Sequence, residues 1–441
     1  MKLSRIGRIS MALVVSVAMG LGMTACGGGT IGFMWVLGTQ FNQIAAFKID
    51  DFTGNLTTTP GSPFTSGGTD PVSLVVRTGG RYLYVINQGT PLKADANGVV
   101  TCSAGTGGGN IAEFAIGGQG VLTYQQTFTS QGCTPVWASK DATGGFLYVL
   151  DKYAPNAKCL ANGQAAPVSG NAPANTCNGE ITVFSSDSTT GRLSLVVNQQ
   201  NKDPLTGLQL TYFPVGVFPK MLNTAGSCVF SLNQDQALSP VGHQTVSPYA
   251  VGTNGQLTFT TNTTVDTTAQ RATSIISNGA AVYITDAYSP TSPSGRILPF
   301  TVSATACGLS PVVGATIDNL SPAVNPVYAL VDSKNQFLYV ANQSSTNSTN
   351  ANSSISAFVF QSNGQFSQIS DPPNNPYPIG GGPVCMVEDP SNQYIYTSNG
   401  DGTVTGKILD HNKGELSNLT RGSTFTAVGQ ATCLAVSGSV D

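Results

Sequence analysis

The chain has 441 residues and a formal net charge of −3, and only 9% of its residues are charged, against the ~25% usual in soluble domains. Fifty-one glycines and many Ser, Thr, Asn and Gln take their place, while 40% of residues stay hydrophobic. This balance excludes a disordered chain, and with neither a basic patch nor a charge run it excludes a nucleic-acid footprint.

The N-terminus places the chain outside the cytoplasm. Lys2, Arg5 and Arg8 precede an apolar stretch from Met11 to Met23 that is too short to span a bilayer as a mature helix. "MTAC" at 23 to 26 then brings small residues up to a cysteine. Residues 1–25 read as a lipoprotein-type signal peptide, which resembles a bacterial lipobox with Cys26 as the lipidated first residue; an ordinary signal peptide cut nearby is the other reading. Residues 26–32 form a short tether whose six residues after Cys26 reach ~20 Å at most, so the folded body sits close to the membrane.

From residue 33 the chain repeats itself. An aromatic, β-rich phrase ending in Asn or Asp recurs as "YLYVINQ" at 82, "FLYVLDK" at 146, "FLYVANQ" at 337 and "YIYTSNG" at 394. A variable loop follows each copy, then a run with an aliphatic residue three before an aromatic one, as in Ile111 and Phe114 or Ile355 and Phe358. A turn with glycine two places before Leu or Phe comes next, from "GNL" at 54 to "GEL" at 414; the fifth copy departs, reading "CGL" at 307. Glycine there permits the positive φ of a tight hairpin. After a polar run, a short apolar run begins, often at proline: "PVSLVV" at 71, "PVWASK" at 135, "PKMLNT" at 219, "ATSIIS" at 272, "PVYALV" at 326, "PVCMVE" at 383 and "ATCLAV" at 431.

Four short strands per unit and seven units predict an all-β, seven-bladed β-propeller with four antiparallel strands per blade, spanning 33–438 as one domain. Tandem immunoglobulin-like sandwiches need about seven strands per ~100 residues, and the glycine turns here are too closely spaced for that. The chain enters at "FMWVLGT", a second-strand run, and leaves at "ATCLAVSG", an inner-strand run without a following partner. The C-terminal strand must therefore complete the N-terminal blade, closing the ring and removing two exposed edges.

With "YVIN", "YVLD" and "YVAN", "IAAFKIDDFTGNLTTTPGSPF" at 44 to 64 and "PVYALVDSKNQFLYVAN" at 326 to 342, the chain resembles the lactonase-family seven-bladed propellers, which include 6-phosphogluconolactonases and carboxymuconate cyclases, and is similar to YVTN-repeat surface propellers. The resemblance implies a cofactor-independent hydrolase of a sugar lactone. The family's His, Arg and Glu residues cannot be matched here residue by residue, and the sparse inventory of catalytic side chains favours instead a ligand- or partner-binding module.

The long insertions fall at 88–109, 152–179, 234–244, 287–295 and 343–353, all on the face that carries the links between second and third strands and between blades. They mark a binding face for a glycan, a sugar lactone or an envelope protein, or simply drift in loop length. His243, Lys220, Arg271 and Asp70 are the ionisable candidates near the channel mouth there: His243 as base, Lys220 and Arg271 for a developing oxyanion. Solvated loop residues are the plain alternative. The phrase-ending Asn87, Asp151, Asn233, Asp286, Asn342 and Asn399 form either a polar ring or strand-end caps. No metal or cofactor motif is present, and a monomer is expected.

Apart from Cys26, eight cysteines remain, an even number suited to disulfides in an oxidising compartment. The propeller scheme pairs Cys159 with Cys177 in one inserted loop, Cys102 with Cys133 on the insertion face, Cys228 with Cys307 in adjacent blades, and Cys385 with Cys433 at equivalent inner-strand positions.

Overall fold

The structure, a computed structural model, describes residues 29–103, 105–168, 176–202, 207–235, 242–259, 264–288, 294–303, 306–318, 320, 322–343, 353–361, 365–371 and 374–438. The signal segment 1–25, Cys26 with the start of the tether, and parts of all five insertions lie outside the described residues.

Seven antiparallel sheets each contain four strands in the order in which the chain supplies them, apart from the first. Blade 2 shows the plan, with strands Pro71–Val76, Tyr82–Asn87, Asn110–Ile116 and Leu122–Phe128 running from the channel outwards. The inner strands of blades 3 to 7 are Cys133–Lys140, Pro219–Ala225, Ala272–Ser277, Pro326–Val331 and Pro383–Glu388. Five blades add a short fifth strand on their third, which the repeat pattern did not reveal.

Blade 1 closes the ring. Its second strand, Thr30–Gly38, pairs with Gln43–Asp50 on one side and with the C-terminal strand Ala431–Gly438 on the other. Cys385 and Cys433 join that terminal strand to the inner strand of blade 7, with Cα atoms 5.1 Å apart. All four disulfides follow the expected pairing, which is consistent with an exported protein.

The repeated phrase packs blade on blade. Second strands are sandwiched between neighbours, so runs such as Phe337–Asn342 are buried at every position rather than at alternate ones. The core is correspondingly divided among the interfaces between blades. At three interfaces the phrase tyrosine adds a hydrogen bond: the hydroxyls of Tyr84, Tyr339 and Tyr396 donate to the carbonyls of Gly191, Gly414 and Gly54 in the next blade. Gly191 and Gly414 adopt φ of 74° and 70°, and a Cβ would stand 2.5 Å from Tyr82 and 2.4 Å from Phe337, the first residues of the phrase. Glycine is thus required twice over, by its backbone conformation and by the ring lying on it.

The phrase-ending residues are buried, with exposures of 0 to 1%, and clasp the third strand; Asp286 also caps its strand end, its Oδ1 accepting the Tyr288 N–H at 3.0 Å. Asn87 donates to Asn110 Oδ1 at 2.9 Å, Asn233 to Ser247 Oγ at 3.0 Å and Asn399 to Thr405 Oγ1 at 3.1 Å, while Asp286 pairs with Arg296 Nε at 3.0 Å. Held this way at each blade interface, they do not form an exposed ring of ligands.

Candidate functional site

Every inner strand carries a β-bulge just after its recurring Pro or Ala, visible as a break in register against the second strand. Bulges re-aim side chains. Read around the ring, the bulged residues are Val72, Val136, Lys220, Thr273, Val327, Val384 and Thr432, so Lys220 is the one ionisable group among them.

Lys220 lines a cavity of 440 Å³ at the loop-rich mouth of the channel, together with Lys152, Gln88, Gln234, Phe218 and Trp137 among others. Gln88, Lys152 and Gln234 are the residues immediately after the phrase-ending Asn or Asp. The backbone N–H groups of Gln88 and Gln234 donate to the carbonyls of Asp70 and Phe218, at 2.8 and 3.2 Å, which secures their place at the mouth. Lys152 Nζ lies 4.8 Å from the centre of the Phe218 ring. Burial lowers the pKa of both Lys152 and Lys220, because each ammonium gives up water without a carboxylate beside it. Among the described residues neither lysine forms an ion pair.

One wall of this mouth is stapled. Val100–Thr101 of the first insertion pairs with Lys158–Cys159 of the second. Cys102–Cys133 and Cys159–Cys177 lock the two insertions, and Cys102, Cys133, Tyr153, Cys159 and Cys177 bury one another against Val217 and Phe218. Tyr153 meets Phe218 edge to face, with ring centres 5.9 Å apart. The described parts of the insertions of blades 2 and 3 therefore form a disulfide-stapled shoulder against Phe218 beside the cavity.

The other sequence candidates stand elsewhere. His243 pairs through Nδ1 with Asp266 Oδ2 at 3.1 Å, on the outer part of blade 4. Arg271 is exposed, and its Nη2 donates to the Ala287 carbonyl at 2.6 Å. Asp70 takes a positive φ of 56° before the first inner strand, its N–H donating to Asn42 Oδ1 at 2.8 Å, and burial raises its carboxyl pKa. The structure brings only Lys220 of the four into the cavity. Lys152 was legible in "FLYVLDK" but lay in a phrase read as architecture.

The channel is interrupted below this mouth. Trp137 and Tyr328 follow the bulges of blades 3 and 6, with ring centres 6.3 Å apart and planes at 40°. Beneath them a second chamber of 480 Å³ opens at the short-turn end, and Trp137 lines both cavities. Lys140, Glu388 and Asn223 are its principal polar residues. Lys140 and Glu388 end two inner strands, at the place where other copies carry Val, Thr or Ser. Repeat alignment could have singled them out; strand starts drew attention instead. Among the described residues no group of three His, Cys, Asp or Glu side chains could hold a metal ion.

No protein-family model matches the chain, and no curated protein matches it in sequence. Solved structures do match. A candidate 6-phosphogluconolactonase from Bacteroides fragilis NCTC 9343 superposes with a TM-score of 0.61 at 14% identity, covering 93% of this chain and 98% of its own. Another from Bacteroides uniformis ATCC 8492 gives 0.61 at 13% identity, covering 93% and 100%. A protein from Lactobacillus plantarum gives 0.60 at 13% identity, again covering 93% and 100%. Likeness at these identities establishes architecture rather than activity: the chain is a β-propeller that shares its fold with these structures over nearly their whole length.

Proposed function

We propose that this chain is an exported, lipid-anchored binding module of lactonase-like fold, which takes an anionic ligand such as an acidic glycan at the loop-rich mouth. The carrying observation is the pair Lys152 and Lys220, two partly desolvated ammonium groups without a carboxylate partner in a walled cavity. A carboxylate or phosphate entering between them supplies the missing counter-charge, the carboxamides of Gln88 and Gln234 offer hydrogen bonds, and Trp137 and Phe218 provide apolar faces. The fold supports display of this face. Thr30 begins its strand at the short-turn end, where the Gly29 carbonyl accepts from Asp51 N–H at 3.0 Å, so a tether from Cys26 leaves the loop-rich face directed away from the membrane.

The test is calorimetric titration with galacturonate and its oligomers, with glucose as the neutral control. Binding of the acids but not of glucose is expected, with a loss of about tenfold or more on Lys220→Met or Lys152→Met. Equal binding of glucose, or unchanged affinity in the double variant, overturns the reading. The alternative, hydrolysis of a sugar lactone, draws on the same ammonium groups for an oxyanion. It is checked by turnover of glucono-δ-lactone and 6-phosphoglucono-δ-lactone.

A further inference from the structure

We propose that the chamber at the short-turn end of the channel binds a short apolar peptide by both free termini, its carboxylate on Lys140 and its ammonium on Glu388. The two residues occupy the last position of their inner strands, in blades 3 and 7. Two blades separate them in one direction around the ring and three in the other, so they face each other across the channel at one level. No ion pair joins them among the described residues.

The two ends differ in charge. Lys140 Nζ donates to Thr78 Oγ1 at 3.0 Å, using one of its three donors, and Asp141 and Arg77 both lie close enough to act on it, with opposite sign. Glu388 accepts the Ser333 N–H at 2.7 Å, and Asp332 and Asp389 lie close enough to hold its proton on. The wall between them is aliphatic, from Leu74 and Val76 to Leu330 and Val387, under the Trp137 and Tyr328 rings. The volume of 480 Å³ lies within the range for small-ligand pockets. A sugar acid would satisfy Lys140 but leave the acidic side and the aliphatic wall unmatched; a peptide with free termini and apolar side chains matches all three.

The chain supplies its own reporter. Of its two tryptophans, Trp35 is fully buried in blade 1, so ligands in the channel perturb Trp137. Titration of the purified full chain with tri-leucine should give a saturable change in tryptophan emission. N-acetylation and C-amidation of the peptide should each weaken binding about tenfold or more. Lys140→Met should abolish the discrimination against the amide and Glu388→Gln that against the acetyl form, while Lys152→Met with Lys220→Met changes neither. Burial first, then the neighbouring aspartates, push the Glu388 pKa up to about 7. An arriving ammonium therefore ionises it at pH 7 and releases a proton, read by calorimetry in buffers of different ionisation enthalpy. Absence of a saturable response, equal affinity for the three peptide forms, or displacement by gluconate but not by tri-leucine overturns the proposal. The wild-type comparison of peptide forms holds even where a variant fails to fold.

Discussion

At the scale of single residues, blade 3 departs from the clasp used by its neighbours. Asp151 and Glu180 stand directly opposite each other on paired strands, both with no exposure. Ser130 donates to Asp151 Oδ1 at 2.8 Å, and Gly132 N–H and Thr182 Oγ1 donate to Glu180 Oε1 at 2.9 and 2.7 Å. Asp151 Oδ2 and Glu180 Oε2 have no donor among the described residues, and a proton held between the two carboxyls supplies the missing partner. Burial raises both pKa values, and the neighbouring Asp151 charge raises that of Glu180 further. The folded chain thus holds a proton that the unfolded chain releases above its ordinary carboxyl values of 3.8 and 4.5. More protons bound in the folded state means that this pair's contribution to stability falls as pH rises from that range towards the raised folded values. Glu180→Gln, whose amide donates to Asp151 permanently, should flatten this slope and stabilise the protein by about 1–3 kcal/mol at pH 8. Urea unfolding from pH 4 to 8 measures it; parallel curves for the two proteins would refute the shared proton. Two acids in register were legible from "FLYVLDK" and "GEITVF", but their complete burial was not, because the packing of neighbouring blades decides it.

At the scale of elements, the departing fifth copy has a physical explanation. In five blades an aromatic residue opening the phrase lies on the turn glycine of the next blade, as with Phe33 on Gly120 and Phe146 on Gly255. Cys228 opens the phrase of blade 4, and Cys307, at φ 54°, holds the glycine position of blade 5. The disulfide between them therefore replaces the aromatic–glycine contact with a covalent one. Removing it as Cys228→Ser with Cys307→Ser should cost about 2–5 kcal/mol. Cys228→Phe with Cys307→Gly should recover at least half of that by restoring the repeat's own contact and relieving the positive φ. Urea midpoints of the two double variants decide the matter, and equal midpoints would show that the positions are not equivalent. The repeat register placed these cysteines in adjacent blades; that they meet in the slot of a ring on a glycine emerged only from the packed interface.

At the scale of the whole molecule, closure depends on one strand. Ala431–Gly438 supplies the inner strand of blade 1, and Cys433 ties it to blade 7. Ending the chain at Gln430 leaves Thr30–Gly38 with an open edge and the channel with a missing wall. Such a chain should lose its cooperative thermal transition and elute as aggregates in size-exclusion chromatography. A monomer melting like the full chain would show that the ring does not need this strand. The same closure brings Lys140 opposite Glu388 and sets Trp137 against Tyr328, pairs of residues 248 and 191 positions apart in the sequence.

What the sequence determined by itself was periodic: seven four-stranded units, the order of strands within them, the pairing of first and last strands, and the disulfide partners. Each follows from local alternation, turn glycines and register, which repeat wherever the same strand recurs. The tertiary structure alone decided which side chains converge. Convergence on a channel axis depends on where each inner strand's bulge turns its side chains and on how seven blades divide the space between them. Lys152 with Lys220 above the aromatic pair, and Lys140 across from Glu388 below it, come from different blades, so no local pattern joins them.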